Sequence, residues 1–367
     1  MTTKTTFSSY SLGKSSLSNK VVMAPMTRSR AIHNIPNDLM VKYYEQRAAA
    51  GLIVTEGVSP SPNGLGYARM PGIFSTEQVA AWKKVTEAVH AKGGTIFAQL
   101  MHAGRIGHVH NLPKHGRMVA PSAVPAPGQM WTDTEGLKDH SAPQELTSED
   151  LETTRNEFVQ AALNAVEAGF DGVELHSANG YLLEQFLSPH SNVRTDVYGG
   201  SIENRSRFVL EVATEVAAAI GKDKVGIRFS PYGVFNDMPH YAEIDATYTH
   251  LTKELSKIGI VYIHLVDHSA GGAPEVPVKI KQAIREQFNN TLILSGGYDL
   301  SRAEEDLSSG FADLVAFGKP FLNNPDLIER FKNNLPLNPI LDASTLYTPG
   351  EKGYTDYPVY SEVSVVA

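Results

Sequence analysis

Short apolar runs alternate with longer amphipathic ones through this chain, eight of each, and few folds accept that order. The short runs are VVMAP (21–25), LIVTEG (52–57), TIFAQL (95–100), GVELH (172–176), GIRFS (226–230), YIHLV (262–266), LILSGG (292–297) and LVAFG (314–318). They are rich in β-branched and aliphatic residues without strict alternation, as strands are when both faces are covered. Between them the spacing predicts helices over 39–50, 76–91, 148–168, 202–220, 246–257, 276–288, 302–309 and 325–334. Ser75 and Gln78 match a capping box at the start of the second. Gly51, Gly93, Gly169, Gly221, Gly259 and Gly310 stand where a helix C-terminus favours a left-handed residue. Parallel strands need crossovers, and eight such units close on themselves. The expected fold is α/β: a single (β/α)8 TIM barrel, one domain over 1–367, in preference to a doubly wound open sheet. Ser8–Lys20 precedes the first strand and is expected to be a hairpin that plugs the barrel bottom. The connections 103–147 and 177–201 are long, and both follow strand C-termini, where barrels build their sites.

Composition narrows the function classes. The 367 residues hold 32 Lys and Arg against 40 Asp and Glu, a net charge of −8. An acidic chain is a poor general partner for nucleic acid or an anionic membrane. There is no cysteine, which excludes disulfides, thiolate nucleophiles, iron–sulfur clusters and cysteine zinc sites. No apolar run approaches the ~18 residues of a membrane span. The first twenty residues lack the apolar core of a secretory signal, so the expected location is cytoplasmic. His102, His108, His110 and His115 are close in sequence, but their spacing fits no zinc pattern, and they are expected to be loop or surface residues with no metal. Gly199-Gly200 and Gly271-Gly272 do not form a dinucleotide fingerprint after a strand.

Polar residues gather just after the strand ends, where a barrel enzyme needs them. The first strand leads into Pro25, Met26 and Thr27, the second into Glu56 and Gly57, the third into Gln99, His102 and Arg105. The fourth ends at His176, followed by Asn179 and Tyr181, and the fifth ends near Arg228. The seventh runs into Gly296-Gly297 and the eighth into Gly318-Lys319. Glycines at the last two strands, each followed by a helix, suit a phosphate, with Lys319 adding a point charge. Thr27, Gln99 and Arg228 suit a flat, hydrogen-bonding heterocycle. A buried Arg needs an anion. Either a bound reduced flavin or a core carboxylate, Glu56 or Glu174, would serve. His176 and Asn179 can both donate to one oxygen, and Tyr181 can deliver a proton. No activated Ser or Cys accompanies them, so hydrolysis is poorly served.

Six segments carry a resemblance: MAPMTRSRA (23–31), YYEQRAAAGLIVTEG (43–57), FAQLMHAGRIGH (97–108), GFDGVELHSANGYLLEQFLSPHSNVRTDVYGGSIENRSRF (169–208), VAFGKPFLNNPDL (315–327) and GYTDYP (353–358). From Val21 to Pro358 the chain resembles the old yellow enzyme family of FMN-dependent ene-reductases. Bacterial maleimide and xenobiotic reductases and plant oxophytodienoate reductases look most similar. The resemblance implies one non-covalent FMN at the barrel mouth, reduced by NADPH or NADH. Thr27 would bond the flavin C4 oxygen, Gln99 the pyrimidine edge and Arg228 the N1/O2 edge. Pro25, Met26 and Gly57 would line the ring, with Gly296, Gly297, Gly318 and Lys319 on the phosphate. A small α,β-unsaturated carbonyl or nitro compound would then take hydride from flavin N5 at its β-carbon. His176 and Asn179 would hold its oxygen, Tyr181 would protonate the α-carbon, and Tyr67, Met101 and Tyr347 would wall the pocket. Met101 stands where many relatives have Trp, Lys319 where Arg is usual, and Asn179 where one branch has His. Two other readings compete. One is a barrel lyase or isomerase acting on a phosphorylated substrate; the other is a non-catalytic flavin- or phenol-binding protein. The sequence leaves monomer and dimer both open.

Overall fold

Hydrogen bonding closes eight parallel strands into a barrel in the computed structural model, which describes residues 4–339 and 342–360. The strands are β1 (Val21–Met23), β2 (Leu52–Val58), β3 (Ile96–Leu100), β4 (Gly172–Ser177), β5 (Val225–Phe229), β6 (Tyr262–Val266), β7 (Thr291–Ser295) and β8 (Leu314–Phe317). They pair in chain order, and β8 pairs back to β1. Every residue of the eight is buried, which is why their sequences read as apolar runs. The helices that follow the strands are α1 (Asp38–Glu45), α2 (Thr76–Ala91), α3 (Ser148–Glu167), α4 (Ile202–Ile220), α5 (Ile244–Ile258), α6 (Val278–Gln287), α7 (Leu300–Ser308) and α8 (Leu327–Asn333), the first seven as crossovers. Short helices Leu182–Leu187 and Lys319–Asn323 follow β4 and β8. The Ser75/Gln78 capping box forms at α2 as the sequence predicts.

The core has two parts. A large outer shell packs the helices on the strands. A smaller inner cluster fills the bottom of the barrel with Val22, Leu52, Val54, Phe97, Tyr262, Ile293 and Leu314. The expected hairpin closes that end: Tyr10–Leu12 pairs antiparallel with Ser15–Leu17, and Leu12 and Leu17 join the inner cluster. Gly172 and Gly226 make room for the inner aromatics, since a Cβ on them would lie 2.5 Å and 2.2 Å from the rings of Phe97 and Tyr262.

One local expectation is corrected. The first helix stops at Glu45 rather than running to residue 50. Gly51 therefore does not cap it; a Cβ there would lie 2.0 Å from the Asn19 carbonyl, so close backbone approach is what selects glycine. Of the four histidines expected in loops or at the surface, His102 is a buried loop residue. It is 2% exposed, its Nδ1 accepts from the Gly104 N–H at 3.1 Å, and burial pulls its pKa down to about 3. His108 is half-buried, and His110 and His115 are exposed. No helix among the described residues is long and apolar enough to cross a membrane.

Candidate active site

Strand register brings the polar side chains together. Gln99 on β3 sits beside Glu174 on β4, and His176 sits beside Arg228 on β5, which sits beside His264 on β6. Glu174 and His176 are two residues apart, so both face the barrel interior. Above them opens a cavity of about 900 Å³. Of the sequence-predicted residues, Pro25, Thr27, Tyr67, Gln99, Met101, His176, Asn179, Tyr181, Arg228 and Tyr347 line it. Met26, Gly57, Gly296, Gly297, Gly318 and Lys319 do not. Gly57 lies beneath Met101, whose sulfur would be 2.6 Å from a Cβ there.

Arg228 is the unusual group. It is 6% exposed, its Nε is buried without a partner, and its guanidinium makes no hydrogen bond among the described residues. Burial lowers its pKa, and the Glu174 charge opposes that only in part. Neither core carboxylate is its hydrogen-bonded partner. Glu174 accepts from Gln99 Nε2 at 2.8 Å and pairs with His264 Nδ1 at 2.9 Å. Glu56 accepts from the Tyr44 hydroxyl at 3.3 Å. A buried cation with free donors calls for a bound anion. Because Glu174 takes the Gln99 amide N–H, Gln99 Oε1 stays free to accept, and the Thr27 hydroxyl has no partner among the described residues. This donor and acceptor set fits a planar heterocycle with one edge able to carry negative charge, as a flavin has.

The phosphate residues divide. Gly296 has φ +116°, and a Cβ on it would lie 1.9 Å from the Asp267 carbonyl, so backbone crowding already explains it. The helix that follows, α7, has its first turn capped by Asp299, whose side chain accepts from the Arg302 N–H at 2.8 Å. Gly318 keeps room, with Met26 Sδ at 3.5 Å the nearest atom to a Cβ, and Lys319 beside it is exposed.

On the cavity wall, burial pushes the His176 pKa well below its ordinary value and Arg228 adds to the effect, so the ring is neutral. Its Nδ1 is buried without a partner among the described residues. Tyr181 caps the helix Leu182–Leu187 and meets His176 edge to face, ring centroids 5.0 Å apart. Burial raises the Tyr181 pKa, so its hydroxyl keeps its proton, and that hydroxyl lies 2.8 Å from the Tyr67 hydroxyl.

A sequence profile of the NADH:flavin oxidoreductase / NADH oxidase family matches residues 6–338. The chain belongs to this family. It is 40% identical over 365 residues to 12-oxophytodienoate reductase 1 of Oryza sativa subsp. japonica, covering 96% of this chain and 93% of that one. It is 38% identical over 353 residues to 12-oxophytodienoate reductase 2 of Arabidopsis thaliana, covering 95% and 94%. Among solved structures, morphinone reductase superposes with a TM-score of 0.94 at 43% identity, covering 98% of this chain and 97% of that one. An old yellow enzyme homologue from Zymomonas mobilis gives a TM-score of 0.91 at 38% identity, covering 96% and 99%. Like the rest of the NADH:flavin oxidoreductase family, this barrel is an FMN-dependent oxidoreductase with a nicotinamide as reductant. The reading as a phosphorylated-substrate lyase or isomerase fails. The residues lining the cavity include no Lys, and their one carboxylate, Asp133, is ion-paired with Arg69.

This family member has site residues that sequence reasoning missed. His268, just past β6, contacts Asn179; the strand-end rule would have found it. Gln129, Trp131 and Asp133 come from a hairpin, Gln129–Thr132 with Gly136–Asp139, inside the long connection after β3. Its flanking Gly128 and Gly136, both at positive φ, were the available signal. Phe235 and Asn236 arrive from the connection after β5. Arg69 ties three rim segments together: it donates to the Ser29 carbonyl at 2.9 Å and the Tyr347 carbonyl at 2.7 Å, and pairs with Asp133.

Proposed function

We propose that this flavin oxidoreductase is a cytoplasmic ene-reductase that takes small α,β-unsaturated carbonyl or nitro compounds, with Thr27, Gln99 and Arg228 holding the flavin ring and Gly318 and Lys319 at its phosphate. The observation that carries the reading is the buried Arg228 cation, without a hydrogen bond among the described residues, on the same cavity as the neutral donors His176, Asn179 and Tyr181. When bound, FMN carries a hydride from the nicotinamide to the electron-poor β-carbon. His176 and Asn179 donate to the carbonyl or nitro oxygen and stabilise the charge that develops there. Their neutrality matters, since a charged imidazole would not survive this burial. Tyr181 gives its proton to the α-carbon, and the hydroxyl of Tyr67 is within reach to restore it. Met101 and Tyr347 then bound the space open to the substrate, Tyr347 from an exposed rim position.

The experiment is an anaerobic titration. Purified protein loaded with FMN should bleach on addition of NADPH or NADH and recover its yellow colour with 2-cyclohexenone. Tyr181→Phe should bleach at the wild-type rate but recover about 100-fold more slowly, the usual size of a lost general acid. Protein that never takes up FMN would end the proposal. Recovery of Tyr181→Phe at the wild-type rate would remove Tyr181 from its assigned role.

A further inference from the structure

The Asn179 amide can serve a substrate oxygen in only one of its two orientations. With Nδ2 toward the cavity it donates; turned over, Oδ1 faces the cavity and repels that oxygen. The backbone of Asn179 is well held. Its N–H donates to Ser230 Oγ at 2.8 Å, its carbonyl accepts from Asn236 Nδ2 at 2.8 Å, and its φ is +59°. Those contacts place the Cα and say nothing about the amide. Among the described residues the far end of the amide meets one group: His268 Nε2 lies 2.6 Å from Oδ1. An amide oxygen only accepts, so Nε2 must carry the hydrogen.

We infer that His268, as its Nε2–H tautomer, is a positioning residue that turns Asn179 Nδ2 into the cavity and thereby makes the His176–Asn179 pair a two-donor site. The inference rests on the reading of that pair as the oxygen-binding donors. The loop carrying His268 is itself fastened. Asp267 pairs with Lys281 at 2.8 Å and accepts from the N–H groups of Ser269 and Val276 at 3.0 and 3.2 Å. The His268 carbonyl accepts from the Gly271 N–H at 2.8 Å and the Ala273 N–H at 3.3 Å. A ring on so constrained a loop has little freedom to follow a turning amide. Adding a proton at Nδ1 would leave Nε2–H in place, so the orientation does not depend on the charge of the ring.

The test uses FMN-loaded, oxidised enzyme and cyclohexanone, which offers the carbonyl oxygen without an alkene to reduce, titrated by calorimetry. His268→Phe removes the donor and should weaken cyclohexanone about tenfold, the size of one lost hydrogen bond. His268→Gln can still donate and should stay within about threefold of wild type. His268→Glu offers only acceptors, draws Nδ2 away from the cavity and should be weaker than His268→Phe. In an Asn179→Ala background the three substitutions should be indistinguishable. Equal affinities across the His268 series, or equal losses in all three, would overturn the inference while the donor pair stands, provided Asn179→Ala alone weakens binding. A wild-type affinity in Asn179→Ala would overturn the donor pair and this inference together.

Discussion

The two ends of this barrel solve opposite problems. At the bottom, strand starts are tied down within the chain: Asp171 accepts the first N–H of β3 at 2.8 Å, Asp313 accepts from the Leu292 N–H of β7 at 2.8 Å, and the Tyr10 hydroxyl meets Thr291 Oγ1 at 2.8 Å. Between them the hairpin lays Leu12 and Leu17 on an apolar floor. At the top the matching is left incomplete, with buried Arg228 Nε and His176 Nδ1 both without partners among the described residues. Unsatisfied buried groups cost stability, and a ligand in the cavity would complete these two. The difference teaches that the bottom uses its polar groups to close the fold, whereas the top keeps donors for recognition.

Substitutions can break or sharpen that division. The largest effect is expected from His176→Ala combined with Asn179→Ala, which should lower enone turnover about 1000-fold, as loss of oxyanion donors does. The thermal midpoint should hardly move; a fall of more than about 5 °C would mean these residues also hold the fold. Next comes Arg228→Met. FMN should bind about 100-fold weaker by equilibrium dialysis, whereas the apoprotein should be no less stable, because an uncompensated buried cation has been removed. At the other end, Leu17→Ala should cost about 2 kcal/mol in denaturant unfolding and leave FMN affinity unchanged. If it loosened FMN, the two ends would be coupled.

The smallest effect concerns pH. Glu184 lies under the Asn179–Gly180 turn, accepting from the Gly180 N–H at 2.6 Å, Ser230 Oγ at 2.8 Å and the Tyr248 hydroxyl at 2.8 Å. Burial nonetheless raises its pKa from 4.5 to about 7. The folded state therefore holds this proton more tightly than the unfolded chain does. Its contribution is full below about pH 4.5 and is lost as pH rises through about 7. Glu184→Gln keeps the neutral form at every pH. It should gain about 1 kcal/mol on the wild type between about pH 5.5 and 6.5, read as the pH dependence of their stability difference. A pH-independent difference would place the ordinary carboxylate pKa at Glu184.

Much of this protein is written locally. The strand and helix periods repeat eight times, α2 and α4 begin and end at the residues their patterns predict, and closure follows from the count. Residues at strand ends inherit their place from the ladder, which is why Gln99, His176 and Arg228 could be singled out in advance and do share one cavity. What the sequence could not settle are meetings between distant loops. Glu174 was one candidate counter-charge for Arg228; folding gives its oxygens to Gln99 and His264 instead and leaves the cation open. Gly296 was read as a phosphate ligand, and the approach of the Asp267 backbone explains it as well. His268 reaches Asn179 across 89 residues of chain, through two loops whose shapes no period encodes. Periodicity is set by each segment's own burial, so it can be read along the chain; the partner of a buried polar atom is set by which segments fold against one another, and only the closed barrel decides that.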